Sequence, residues 1–395
     1  MSTCTWTPTA TEPSSAPSGC SCAYLGKPAV RRAQPTRMSG SSRLAELPDI
    51  ADTKPVLEII MSFPDNKLTV RSPADLVAAV PYLLGFRPSD GSIVVIATRD
   101  RRIIFAARGD LPAPDAPANQ ILDVAANLIP VLRRQQPITD LMIVGYGAEH
   151  IDPALLKVSE ALTASGMPLL ELLRVTGARI FNLTCDNPDC CPPQGTPFDP
   201  TASLIAVQAT AAGQVALPNR AAVAARFAPV DGAARDSMRR ATTEAVTRLT
   251  TLSAAGEAAA DEAGARAVRN ALRKHDDGKR LTDDEVAWLT LLLKRPSVRD
   301  LAVDLTQPHD PHVTFWADIT RRAEETLVPA SATLLAITAW RCGDGALAGM
   351  AADRALQVDP EYRLAHLLLQ TLHAGLPPTV LEQAIANART NPSAQ

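Results

Sequence analysis

The chain has 395 residues, a formal net charge of −3 and 4 % aromatic residues. That length allows two or three domains with real cores. The charge argues against a general nucleic-acid binder, and the scarcity of aromatics against a stacking surface for single strands.

Residues 1–65 are rich in Ser, Thr and Pro and lack a sustained apolar period, which predicts a disordered leader. Cys4, Cys20 and Cys22 read there as incidental, and Met38 and Met61 offer alternative starts. No apolar run follows a basic start, so no secretory signal is expected. No stretch reaches the roughly 18 apolar residues of a membrane span. The seven cysteines sit in unrelated contexts, unlike a secreted disulfide framework, so the expected compartment is the cytoplasm.

Residues 66–230 predict a mixed α/β domain. Lys67–Val70 reads as a short strand. Ser72 is a natural N-cap, Pro73 fits the first turn, and Asp75 suits the positive end of the helix dipole. Leu76, Ala79, Val80, Leu83 and Leu84 then recur at helical spacing up to Gly85. Ile93–Ala97 and Ile103–Ala107 are β-branched runs joined by a polar turn at Arg99, Asp100 and Arg101. A wide apolar stripe over 119–136 predicts a helix, kinked or broken at Pro130. Leu141–Val144 is a buried strand ending in Gly145-Tyr146-Gly147, and Asp152-Pro153 opens a helix to about Ser165. Leu169–Val175 and Ala178–Thr184 form a strand pair hinged at Gly177. Strands alternating with helices, with hairpins inserted, point to a mixed sheet with helices packed on it.

Three features of this half carry chemistry. A strand end followed by Gly145-Tyr146-Gly147 invites a phosphate-loop reading, but the complete glycine-rich patterns are absent and the residues read as a turn. Arg87, Arg108 and Asp110 lie at the ends of the central elements, where ligands sit in α/β sheets and where arginine grips a carboxylate or phosphate. Cys185, Cys190 and Cys191 follow a strand at C-x4-C-C. A reduced structural loop, a zinc site and a redox-active thiol are the three readings, with the loop favoured. A fourth zinc ligand would come from Asp186, Asp189, a distant His or water, and adjacent Cys190 and Cys191 would be strained as joint ligands.

From 231 to 395 strand signals stop and the pattern is helical. Arg235–Ala260 reads as one long helix, with Gly256 and Gly264 as punctuation. Thr282 and Glu285 have capping-box spacing before the run Val286, Leu289, Leu292, Leu293. His275, His309 and His312 read as isolated, the last two as a loop pattern. Residues 331–376 look like tetratricopeptide hairpins: helices at Leu335–Arg341, Ala346–Gln357 and Tyr362–His373, small residues at Ala348 and Ala355, and a closing Pro360. About one and a half repeats are visible, fewer than a free-standing solenoid needs. Tyr362 and Arg363 are the candidate partner contacts there, since aromatics and arginine anchor interfaces.

Three segments carry a family resemblance: SPADLVAAVPYLLGFRPSDGSIVV followed by ARGDLP, then CDNPDCCPPQGTPFDP, then AWRCGDGALAGMAADRALQVDPEYRLAHLL. Together they resemble the actinobacterial family called domain of unknown function 4192, from about residue 67 to about 376. The resemblance implies a cytosolic bacterial protein and no particular reaction. The family pattern places Ser directly after the acidic residue of the first motif, whereas here Gly91 stands between Asp90 and Ser92.

No nucleophile elbow, H-E-x-x-H or complete phosphate loop occurs, so no catalytic residue is assigned. The favoured reading is a non-enzymatic interaction or scaffold module with a protein partner rather than a small molecule, and without nucleic acid or membrane. The alternatives are an enzyme or small-ligand protein at the strand ends, and a metal- or thiol-dependent regulator at the cysteines. No cofactor is implied beyond zinc at that cluster.

Overall fold

The computed structural model describes residues 2–6, 21–24, 59–62, 67–200, 202–254 and 256–383. The leader expected to be disordered lies largely outside them. Its described parts are β1 (Ser2–Trp6), β2 (Ser21–Tyr24) and β3 (Ile59–Ser62). There follow β4 (Lys67–Val70), α1 (Pro73–Leu84), β5 (Ser92–Arg99), β6 (Arg102–Asp110), α2 (Ala118–Arg134), β7 (Asp140–Tyr146), α3 (Asp152–Ala164), β8 (Leu169–Thr176), β9 (Arg179–Asn182) and β10 (Thr196–Pro197). The short helices α4 (Leu204–Ala211) and α5 (Arg220–Ala225) lead to the helical half. That half comprises α6 (Gly232–Ser253), α7 (Glu257–Asp276), α8 (Asp283–Leu292), α9 (Pro296–Leu305), α10 (Asp310–Arg322), α11 (Val328–Cys342), α12 (Gly345–Val358) and α13 (Arg363–His373).

The sheet is mixed, with β10, β9, β8, β7, β5 and β6 side by side in that order. β5 runs antiparallel to both β6 and β7, and β7 runs parallel to β8. The ends of β6, β7 and β8 and the start of β5 therefore share one edge. Ile93–Ala97 is buried on both faces, which is why β5 is a continuous apolar run rather than an alternating one. Ser72 Oγ accepts the Asp75 N–H at 3.1 Å and Gly85 ends α1 at φ 78°, as their residue types require. The β5–β6 turn carries positive φ at Asp100 and Arg101 without any glycine.

Several boundaries differ from expectation. α2 is not broken at Pro130 but continues to Arg134, its stripe of Ile121, Val124, Leu128 and Leu132 buried along its length. Tertiary burial outweighs the one lost backbone bond there. The helical stretch expected over 235–260 is shared by two helices, and Gly256, at φ 104°, separates α6 from α7 as the expected punctuation. Gly264 does not punctuate; it lies inside α7, where Val298 packs so closely that an added Cβ would stand 2.3 Å from its Cγ2. The first hairpin helix starts at Val328, ahead of the expected Leu335.

The capping box at Thr282 and Glu285 is formed in both directions. Among the described residues, no helix is long and apolar enough to cross a membrane.

Candidate functional site

The shared strand edge collects most of the polar residues singled out in the first half. Ser92 is in register with Asp110 on one side and Tyr146 on the other. Arg108, 6 % exposed, donates to Ser92 Oγ from Nε at 3.2 Å and from Nη2 at 2.8 Å, and it pairs with Asp110. Burial lowers the Arg108 pKa, and the Asp110 carboxylate opposes that. A second arginine follows the same plan. Arg174 Nε lies 2.8 Å from Asp152 Oδ1, its Nη1 donates to Thr176 Oγ1 at 2.9 Å, and its guanidinium stacks 3.9 Å from the Phe181 ring centroid. Burial raises the Asp152 pKa despite this cation. Arg87 is exposed, and among the described residues no ion pair joins it to Arg108 and Asp110.

Each buried arginine thus faces its own carboxylate, so neither is an open anion grip. Gly145 and Tyr146 are not the expected turn but the last residues of β7, and only Gly147 lies beyond the strand. A Cβ on Gly145 would stand 2.4 Å from Leu155 Cδ1, and Gly147 takes φ 146°. Asp152 in the first turn of α3 and Glu149 just before it put negative charge where a phosphate would sit. The Tyr146 hydroxyl is buried and has no hydrogen-bond partner among the described residues, and burial raises its pKa.

The three cysteines come together in the loop between β9 and β10. Their sulfurs all lie within 4.8 Å of one another. Cys185 Sγ is 3.3 Å from Cys190 Sγ, and Cys190 Sγ is 3.5 Å from Cys191 Sγ. The side chains of the adjacent pair point to the same place. Among the described residues the cluster contains no carboxylate or imidazole, so Asp186 and Asp189 stand outside it. Burial, then hydrogen bonding with the other two cysteines, raises the Cys191 thiol pKa.

In the helical half, Trp340, Ala348 and Ala355 are buried between packed helices and serve the core. Tyr362 is half-buried at the start of α13, and its hydroxyl interacts with Arg299. Arg363, His366 and Leu367 are exposed on α13, Leu367 by 55 %. A groove of about 680 Å³ opens between α5 and α12. Ala221, Ala224, Ala225, Phe227 and Met350 give it an apolar lining; Arg220 and Asp353, 3.7 Å apart, and Arg354 mark its edge. No sequence motif announces this groove, because its two walls come from segments about 130 residues apart in the chain.

The histidines read as isolated are neighbours. His309 caps α10, with its ring centroid 4.0 Å from that of His312, and His275 lies 6.1 Å from His312. His312, 2 % exposed, accepts the Gln307 N–H at Nδ1 and meets Asp276 Oδ1 at 3.1 Å through Nε2. Burial lowers its pKa, with Asp276 opposing. With a backbone partner on one nitrogen and a carboxylate on the other, His312 ties α10 to α7. Sequence spacing hid this, because His275 and Asp276 end α7 and His309 and His312 begin α10, and only the packing of the two helices brings them together.

A family model described as Domain of unknown function (DUF4192) matches residues 73–379. No curated protein and no solved structure matches the chain.

Proposed function

The chain belongs to the family of that domain of unknown function, and for this member we propose a non-enzymatic interaction module. It works in the cytoplasm of an actinobacterium and takes an apolar segment of a protein partner into the groove between α5 and α12. The groove itself carries the reading. Its volume, about 680 Å³, lies in the range of binding clefts. Short alanine side chains on the α5 wall leave room for a partner's larger ones. The charges of Arg220, Asp353 and Arg354 at the edge would set the register of a bound segment. The exposed face of α13, with Arg363, His366 and Leu367 beside half-buried Tyr362, offers a second contact.

The test places a photo-crosslinking residue at Ala221 and irradiates native lysate. One stoichiometric protein adduct is expected, abolished by Ala225→Trp at an unchanged melting temperature and weakened by Arg363→Ala. Absence of an adduct, or one indifferent to Ala225→Trp, would sink the module.

A ligand-binding or enzymatic role at the strand edge has one observation in its favour, the unpartnered Tyr146 hydroxyl. A metabolite that raised the melting temperature of the wild type but not of Tyr146→Phe would move the function there.

A further inference from the structure

We propose that Cys185, Cys190 and Cys191 form a three-thiolate zinc site whose fourth position is left to water or an exogenous ligand. The site is built by the chain around it. Asn187 accepts the Cys190 and Cys191 backbone N–H groups on its carbonyl at 3.3 and 2.8 Å, and the Asp189 N–H on Oδ1 at 3.0 Å. These bonds fold the loop back so that the adjacent pair returns to Cys185.

The base of the loop is fastened to the sheet. Arg179 Nη1 donates to the carbonyls of Gln194 and Gly195 at 3.1 and 2.9 Å. Gly195, at φ 78°, lies against the Phe181 ring, where a Cβ would come within 2.7 Å of Cζ. Phe181 in turn stacks on Arg174. Pro188, Pro192 and Pro193 restrict the same segment in the unfolded chain and lower the cost of ordering it. The three sulfurs therefore converge on a rigid platform.

Their spacing fits a thiophilic cation. With zinc–sulfur bonds of about 2.3 Å, tetrahedral ligands stand about 3.8 Å apart. Sulfurs at 3.3 and 3.5 Å need to open by only a few tenths of an ångström. A disulfide would need about 2.05 Å and would leave one of the three unused. Sulfur donors without a carboxylate in the cluster select zinc over magnesium or calcium. Binding replaces three S–H protons by one Zn²⁺, releases the protons to solvent and leaves the site with a net charge of −1. Three protein ligands rather than four match zinc centres that keep an open position. Exposed Cys190 gives the metal its path in.

The experiment uses the full chain without a histidine tag, reduced, with Cys4, Cys20 and Cys22 replaced by Ser. Zinc chloride is added, excess is removed by gel filtration, and metal is counted by elemental analysis; a parallel sample takes cobalt chloride. About one zinc per chain is expected, together with a near-ultraviolet thiolate-to-cobalt charge-transfer band. Cys190→Ser should lose both, whereas Cys342→Ser, remote in sequence, should keep both. Less than about a tenth of a zinc per chain, or no thiolate band in the folded wild type, overturns the site; so does equal retention by a Cys185→Ser, Cys190→Ser, Cys191→Ser triple variant. The cobalt spectrum of the parent chain decides even where a cysteine variant fails to fold.

Discussion

Asp344 shows how one residue serves structure at an electrostatic cost. Its Oδ1 accepts the Leu347 N–H at 2.9 Å and caps α12, yet burial pushes its pKa up to about 6. Arg226 opposes that rise, whereas Asp310 adds to it. A carboxyl raised above its unfolded value binds more protons in the folded state. Its contribution to stability is therefore fullest below about pH 4 and declines as pH rises to about 6. Asn keeps the cap and carries no charge. Asp344→Asn should be more stable than the wild type at pH 7.5 by about 1–2 kcal/mol, with the gap closing towards pH 4.5. Urea melts of both chains across that range check it. A deficit for the variant at every pH would mean that the charge itself, acting on the helix dipole, is what holds α12.

At the scale of elements, what the sequence disclosed is what lies close along the chain. Ser72, Gly85 and the Thr282–Glu285 box act within one turn, and β5 and β6 announce themselves by β-branched runs. The three sulfurs were legible as a cluster because the loop is short; their convergence was not, since it depends on the Asn187 turn. The groove, the histidine group and the Arg174–Asp152 pair all join distant segments, and none leaves a local pattern. Gly264 is the sharpest case. By propensity alone, Ala would favour α7 by about 1 kcal/mol over Gly. The close approach of α9 reverses the sign, because Val298 occupies the space a Cβ would take. Gly264→Ala should destabilise by roughly 1–3 kcal/mol, and Val298→Ala introduced with it should recover part of the loss. A Gly264→Ala chain as stable as the wild type would show that α7 and α9 can separate freely.

At the scale of the molecule, the two halves are clasped in several places. Buried residues form one continuous core from Ile59 to Leu372. Val230 N–H bonds to Arg321 O at 2.9 Å where the halves meet in sequence. At the far end of the helical half, Arg134 and Gln135 donate to the carbonyls of Ala374 and Gly375, each at 2.9 Å. Gly375, at φ 63°, brings its backbone against Val131, where a Cβ would stand 2.5 Å from Cγ1. These contacts motivate the proposal that both halves unfold in one transition although their secondary structures differ. Trp288, Trp316 and Trp340 lie in the helical half and the fourth tryptophan, Trp6, in β1, so with Trp6 replaced by Phe in every chain compared, tryptophan fluorescence follows the helical half. Amide exchange along β5 and β7 follows the sheet. On heating, the two signals should change together. Gly375→Val combines a left-handed φ with a steric clash and should cost about 2 kcal/mol or more. It should shift both signals downward together, by about 2–3 °C or more. If the variant lowers the fluorescence transition and leaves the exchange of β5 untouched, the clasp transmits nothing and the halves are independent domains. Coincident shifts would establish that a partner seated between α5 and α12 also stabilises the sheet, because ligand binding raises the stability of the whole cooperative unit.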